Sequence, residues 1–275
     1  MTYSRAYVEI TNICNRNCSF CPGTLRDKRR MTMEEFQRIT AQLQGVTEYI
    51  YLHVMGEPLT HPLLPDFITC AKEKGFKVAI TTNGTLLRRC QEVLLKARPY
   101  KVSISIHSFE EGTLESYLDY LTQCMEFAEQ SSREGILTVF RLWNRGYDKG
   151  RNVDTLAILQ NFFREDWKEG SRGFRIRDKL HLEYGDRFVW PDMEAHEGDD
   201  LVFCYGLKDH FGILCDGRVI PCCLDREGAI TLGNIYEQPI REILGSERAV
   251  QIAQGFRKRR AVEELCRKCG YARRF

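Results

Sequence analysis

Ala6-Tyr-Val-Glu-Ile-Thr-Asn-Ile-Cys-Asn-Arg-Asn-Cys-Ser-Phe-Cys-Pro22 carries three cysteines, Cys14, Cys18 and Cys21, within eight residues. Ala6–Ile10 reads as a strand, so the thiols sit on the loop that it delivers. Thiolates this close together make a metal claw. Iron–sulfur clusters are held by Cys thiolates, and a cubane [4Fe–4S] cluster held by three of them keeps one iron open to another ligand. A structural zinc site instead wants four closed ligands, usually from C-x2-C pairs; no fourth ligand follows at finger-like spacing. A disulfide framework belongs to small secreted chains.

The chain has 275 residues, enough for one large domain, or a domain and a smaller one, with a real core. Lys and Arg number 40 against 38 Asp and Glu. That balance predicts neither a polynucleotide nor a membrane surface as partner. The N-terminal Met-Thr-Tyr-Ser-Arg-Ala-Tyr has no apolar signal region, and no apolar run approaches membrane-spanning length. With 12 cysteines and no export signal, the expectation is a reducing cytoplasm and metal chemistry. Cys70, Cys90 and Cys124 fall on predicted helices and read as buried, inert thiols.

Outward from the loop, strand and helix alternate. Thr32 with Glu35 three residues on forms a capping box that opens a helix to about Leu43. Further strands are expected at Tyr49–Val54, Phe76–Thr81, Lys101–Ile106, Leu137–Leu142 and Leu180–Tyr184, and helices at Pro62–Lys74, Leu86–Ala97, Gly112–Arg133 and Val153–Trp167. Such alternation builds parallel sheet through right-handed crossovers. Six units are too few for a closed eight-fold barrel, and barrel chemistry sits at the carboxyl ends of strands. In the fourth strand Ile104 and Ile106 face helices, while Ser103, Ser105 and His107 share the interior face. Polar side chains there are costly unless they bind something. Arg141 alternates with Phe140 and Leu142 and points inward, where a fixed guanidinium suits a carboxylate. The sixth strand supplies Glu183, followed by Tyr184, Arg187 and Trp190.

The C-x3-C-x2-C spacing, with aromatic Phe20 before the last Cys, resembles the radical S-adenosylmethionine (SAM) superfamily. The resemblance implies an α/β fold: a partial (β/α)6 TIM-like barrel over residues 1–198, open on one side. It implies a [4Fe–4S] cluster on Cys14, Cys18 and Cys21 whose open iron chelates SAM. An electron from that cluster cleaves SAM to methionine and a 5′-deoxyadenosyl radical. Gly56 and Glu57, in Val-Met-Gly-Glu-Pro-Leu (54–59), match the family segment that meets the SAM amino group, with Met55 replacing the first Gly. Asn83, in Thr-Thr-Asn-Gly-Thr (81–85), would line the site. Ser105 would meet the ribose or methionine part of SAM, and Arg141 its carboxylate. His107 and Glu183 remain as candidate catalytic contacts to substrate. An acidic flavodoxin or ferredoxin would donate electrons, guided by the basic run Arg26–Arg30.

From about Asp199 the pattern changes. Leu214-Cys-Asp-Gly-Arg-Val places an Asp-Gly hairpin turn between short strands. Cys204, twelve residues to Gly217 and four to Cys222 resemble the first half of the SPASM/twitch signature. Leu232-Gly-Asn-Ile, a helix over Ile240–Gly255 and Cys266-Arg-Lys-Cys269 would be the second half. Residues 199–275 then form a twitch-type domain with a second [4Fe–4S] cluster on Cys204, Cys222, Cys266 and Cys269; a four-thiol zinc ribbon is the alternative. Cys215 and Cys223 are left over. Adjacent Cys222 and Cys223 point opposite ways on extended chain, and the family spacing selects Cys222.

Three readings of function follow. A closed, non-catalytic iron–sulfur protein needs neither an open iron nor polar strand ends. A peptide maturase often carries a leader-binding module before the barrel, whereas here the first strand begins within ten residues of Met1. An enzyme acting on a small molecule is therefore expected. Within the family, the chain's compactness and single auxiliary cluster look like the lyases that release queuine from queuosine 5′-phosphate. A twitch-type dehydrogenase of a small alcohol and a SPASM-type peptide maturase are the alternatives.

Overall fold

A computed structural model describes residues 2–195 and 198–274. In chain order the elements are β1 (Tyr3–Val8), α1 (Met33–Leu43), β2 (Thr47–Tyr51), α2 (Leu64–Glu73), β3 (Lys77–Thr82), α3 (Leu87–Ala97), β4 (Lys101–Ile104), α4 (Leu114–Arg133), β5 (Leu137–Arg145) and α5 (Arg151–Phe162). They continue as β6 (Lys168–Gly170), β7 (Gly173–Arg177), β8 (Leu180–Asp186), β9 (His210–Ile213), β10 (Arg218–Ile220), β11 (Gly233–Asn234), α6 (Ile240–Leu244), α7 (Glu247–Arg257) and α8 (Glu264–Arg267). This is a mixed α/β fold. It forms two compact units, one of residues 1–15, 22–78 and 188–275, the other of residues 16–21 and 79–187.

In the first unit the strand order is β11-β10-β9-β1-β2. β1 lies parallel to β2 on one side and to β9 on the other, with Tyr7 opposite both Tyr51 and Gly212. Ala6, Val8 and Ile50 are fully buried, as are Phe36 and Ile39 of α1 and Phe67 of α2. Phe36 and Phe67 stack at 4.5 Å. The α1 cap is the expected box: Thr32 Oγ1 accepts from Glu35 N, and Glu35 accepts from Thr32 N. β9 and β10 pair antiparallel around the Asp216-Gly217 turn. The single helix expected over 240–255 is two helices. α6 ends at Gly245, and Ser246 caps α7 by accepting from Ala249 N.

In the second unit the order is β3-β4-β5-β8-β7-β6, with β3, β4, β5 and β8 parallel. An antiparallel hairpin, β6–β7, precedes the expected sixth strand and pairs with it. Register sorts the two faces, because residues opposite each other in a ladder share one. Ile80, Val102, Ile104, Phe140, Leu180 and Leu182 are buried with Leu121 and Phe127 of α4. Thr81, Ser103, Val139 and His181 align on the other face, and one step further Arg141 aligns with Glu183. The fourth strand is shorter than expected. It stops at Ile104, and Ile106–Ser108 is a 3-10 turn with Ser105 at its start. His107 is therefore on a turn, so strand alternation does not set where it points.

Candidate active site

The stems of the cysteine loop are tied by side chains of the first unit. Asn12 donates from Nδ2 to the Asp27 carbonyl and accepts from Arg29 N, both at 2.8 Å. Thr11 Oγ1 donates to the Arg29 carbonyl at 3.0 Å. Next to them the Gly56 backbone packs so tightly that a Cβ on it would meet the Thr11 carbonyl at 2.4 Å, and its φ is +78°. Glycine is required there on both counts. Met55 has no such demand and is buried. Glu57 N donates to the Ile13 carbonyl at 2.9 Å, while its carboxylate accepts from Leu59 N and caps the 3-10 turn Pro58–Thr60. Cys14, one residue past Ile13, is exposed.

Sequence reasoning missed the group at the centre of this arrangement, Glu9. Its side chain is fully buried. It takes a bidentate pair from Arg26, at 2.6 and 2.8 Å. It also accepts from Met55 N and from Cys215 N, each at 3.1 Å. One carboxylate thus binds the segment after the cysteine loop, the Gly56 segment and the C-terminal hairpin. The signal was present: a lone acid inside the apolar run Val8-Glu9-Ile10.

The other loop cysteines belong to the second unit. Cys21 N donates to the Cys18 carbonyl at 3.0 Å, and Cys18 Sγ lies 3.5 Å from the Ser108 carbonyl. Ser19 donates twice to Glu110, at 2.5 Å from both N and Oγ. The Phe20 ring sits 5.0 Å from the His107 ring. Cys18 and Cys21 are half-buried. His107 Nδ1 lies 2.9 Å from the Arg141 carbonyl, which can only accept, so Nδ1 carries the hydrogen and Nε2 the lone pair. The Trp143 N–H, 3.4 Å from the same nitrogen, is the longer alternative. Burial pushes the His107 pKa down to about 4, so the imidazole is neutral at pH 7. Asn83 is nearly buried; its side-chain oxygen accepts from Thr85 N and Oγ1, and its carbonyl from Ser108 Oγ and Tyr120 OH. Ser105 N donates to the Thr82 carbonyl at 2.8 Å. The Arg141 guanidinium lies 3.5 Å above the Trp143 ring, and Glu183, opposite Arg141 in the ladder, is half-buried.

In the first unit Cys204, Cys222, Cys266 and Cys269 line one cavity, together with Pro221, Asp225 and Phe256. Cys204 Sγ accepts from Gly206 N at 3.3 Å. Burial raises all four thiol pKa values, that of Cys204 to about 11. Buried thiolates need a cationic guest, and an iron–sulfur core supplies one. Among the described residues no three His, Cys, Asp or Glu side chains converge to hold a single metal ion. A cubane binds each thiolate to a different iron and so spreads its ligands more widely. Asp225, buried beside the cavity, accepts from Ala229 N and Ile230 N at 2.8 Å and fixes the turn after Cys222. Cys215 and Cys223 do not line the cavity. Cys215 is buried near Arg26, and Cys223 meets the Tyr7 hydroxyl. Of the three helical thiols, Cys124 is buried while Cys70 and Cys90 are only half-buried.

The chain belongs to the radical SAM superfamily, whose model matches residues 8–157. An iron-sulfur cluster-binding domain of the SPASM type matches residues 204–270. A GTP 3′,8-cyclase of Chlorobaculum tepidum is 30% identical over 90% of this chain and 86% of its own length. An AdoMet-dependent heme synthase of Methanosarcina barkeri is 25% identical over 95% and 86%. Among solved structures, BtrN in complex with AdoMet and 2-DOIA superposes with a TM-score of 0.63 at 18% identity, covering 98% of this chain and 93% of that one. Streptococcus suis SuiB bound to precursor peptide SuiA gives 0.62 at 15% identity, covering 98% and 70%. These likenesses show the fold, a radical SAM α/β domain followed by a Cys-rich SPASM-type domain. The cofactors are SAM and [4Fe–4S] clusters, one of them auxiliary in the SPASM domain. Among the described residues no helix is long and apolar enough to cross a membrane.

Proposed function

We propose that this radical SAM enzyme acts on a small nucleotide, and that its substrate is queuosine 5′-phosphate, cleaved at the base–ribose bond to release queuine. The observation that carries a small polar substrate is the aligned face of Ser103, Arg141 and Glu183 beside a neutral His107. Support for a nucleotide comes from the GTP 3′,8-cyclases among its relatives, and support for a small molecule from BtrN, a chain of similar extent.

In this reading residues 1–198 form the barrel and residues 199–275 the auxiliary domain. Cys14, Cys18 and Cys21 hold the first cluster; Cys204, Cys222, Cys266 and Cys269 hold the second. A cluster held by these three thiolates would supply, with SAM, the one-electron chemistry for hydrogen abstraction from the substrate. The chain's own residues bind and orient. Gly56 and Glu57 offer backbone to the SAM amino group, and Arg141 pairs with its carboxylate. Phe20, Asn83 and Ser105 wall the SAM site; the side chains of Phe20 and Asn83 already have partners within the fold. His107 Nε2, a lone pair held in place by the Nδ1–H bond to Arg141, accepts a substrate N–H or O–H. Glu183 accepts from the amine edge of the base. A flavodoxin or ferredoxin reduces the first cluster, and the enzyme works in the cytoplasm.

The test is anaerobic incubation of the two-cluster protein with SAM, dithionite and a nucleotide panel that includes queuosine 5′-phosphate, with mass spectrometry of the products. Free queuine together with extra 5′-deoxyadenosine is expected. Absence of both products with queuosine 5′-phosphate refutes the lyase reading; oxidation of a small alcohol or modification of a peptide would then replace it.

A further inference from the structure

The segment that leaves the cysteine loop is gripped by a turn near the C-terminal cysteines. Three residues past Cys21, Thr24 Oγ1 donates to Glu227 Oε2 at 3.1 Å, and Leu25 N donates to Glu227 Oε1 at 3.1 Å. Next in the chain, Arg26 Nε donates to the Arg226 carbonyl at 2.8 Å. The other two nitrogens of that guanidinium are held by Glu9, so each of the three has an acceptor. Apolar packing does not place this segment, for the Leu25 side chain is 95% exposed. Its position depends on these bonds, and a carboxylate accepting from a backbone N–H makes one of the stronger kind.

The turn that carries Glu227 begins at an auxiliary cysteine. Asp225 N donates to the Cys222 carbonyl at 3.3 Å, and the two residues line the same cavity. The Asp225 carboxylate accepts from Ala229 N and Ile230 N. The Glu227 carbonyl accepts from Arg218 Nη1 at 3.0 Å. A Cβ on Gly228, whose φ is +72°, would stand 2.6 Å from that same nitrogen, so the missing side chain lets the guanidinium in. Bonded at so many points, residues 222–230 shift as one piece, and a change at Cys222 reaches Glu227.

We propose that Glu227 is a positioning residue that couples the auxiliary cysteine site to SAM binding. With Cys222 held on the second cluster, Glu227 fixes Thr24 and Leu25, and through them the end of the loop that carries the first three cysteines. This rests on the cysteine sets proposed above, but not on which substrate the enzyme takes. SAM must meet one open iron, and a misplacement of about 1 Å can cost a hundredfold in rate. A loop exit set by a carboxylate keeps that tolerance.

The experiment uses Glu227→Gln, which keeps the shape and turns one acceptor oxygen into a donor facing another donor. Beside it stands Cys266→Ala with Cys269→Ala, which removes the second cluster and leaves Glu227 in place. SAM affinity of the anaerobic protein is measured by calorimetry. The electron paramagnetic resonance signal of the reduced first cluster is recorded with and without SAM. Each change is expected to weaken SAM about fivefold or more, the lower end of coupling between distinct sites, and to shrink the effect of SAM on the signal. Combined, they weaken SAM no further than the stronger one alone, because both act through one route. Thr24→Val removes one of the two bonds to Glu227 and reads the same loss if Glu227→Gln does not fold. A Glu227→Gln protein that melts lower yet keeps its SAM affinity and signal overturns the proposal, as do multiplicative losses in the combined variant. About eight irons retained after Cys266→Ala with Cys269→Ala overturn it too, together with the cysteine assignment, and iron analysis tells that failure from the others. Failure of queuosine 5′-phosphate as a substrate leaves each of these outcomes readable.

Discussion

Glu9→Gln tests the fold at its most tightly built point. The carboxylate is fully buried and faces four donors, two on Arg26 and the amides of Met55 and Cys215. A carboxamide turns one acceptor oxygen into a donor, leaving donors face to face, and it strands the Arg26 charge, whose side chain is only 9% exposed. Breaking a buried ion pair from one side costs about 3–5 kcal/mol. For a chain of this size that lowers the melting temperature by roughly 6–20 °C, taking about 2–4 °C per kcal/mol. The assay is thermal unfolding followed by circular dichroism, with Asp119→Asn as control. Asp119 pairs with Arg88 across an exposed surface, 58% and 56% accessible, and such pairs contribute at most about 1 kcal/mol. Adding Arg26→Met to Glu9→Gln removes the stranded charge, so the double variant loses less than the sum of the two single losses. A Glu9→Gln melting temperature within about 3 °C of the parent, or strict additivity in the double variant, refutes the reasoning.

Iron analysis checks the cysteine sets. About eight irons per chain are expected in the parent, and about four after Cys14, Cys18 and Cys21 are changed to Ala; zinc in place of the second four would refute the auxiliary cluster. Cys222→Ala loses the second cluster while Cys215→Ala and Cys223→Ala keep it, and the reverse pattern for 222 and 223 would overturn the ligand assignment. Burial holds His107 and His210 both down to about 4. Between pH 4 and the ordinary histidine value near 6.5 the unfolded chain binds more protons than the folded one, so stability rises with pH across that window and is complete above it. Urea unfolding at about pH 5 and 7 should show that slope, and His210→Asn should flatten it; an unchanged slope refutes burial of a neutral imidazole.

The parallel strands were legible because each strand–helix pair alternates one buried face with one polar end. Strand limits were less so. Leu52 and Val54 continue the apolar alternation of β2, yet the chain has already left the ladder at Tyr51 to reach the Gly56 turn. The β6–β7 hairpin left little trace, since Lys168–Gly170 is exposed throughout and shows no alternation. At Gly245-Ser246 the break between α6 and α7 was written as a stop followed by a cap, but the apolar spacing ran across it. The auxiliary cysteines follow from the resemblance to the SPASM/twitch signature, and the four that it implies line one cavity. Glu9 and Trp143 show where such reading ends. A lone acid in a strand does not name residues 26, 55 and 215 as its partners, and an indole two positions from an arginine does not say that its nitrogen will have no hydrogen-bond partner among the described residues.

The position of β1 also sets the order in which this protein can assemble. Its first-unit neighbours are β2, nearby in sequence, and β9, where Arg5 meets His210, 205 residues later. Pairings of that span fold slowly, because a long loop must close before any contact rewards it. At a synthesis rate of about 5–20 residues per second, β9 leaves the ribosome roughly 10–40 s after β1. The Glu9 carboxylate gains its last donor only when Cys215 arrives. The loop of Cys14, Cys18 and Cys21 is thus made roughly 10–40 s before its stem can close, so the nascent chain carries three unshielded thiols over that interval, and a cluster delivered early would meet a half-built stem.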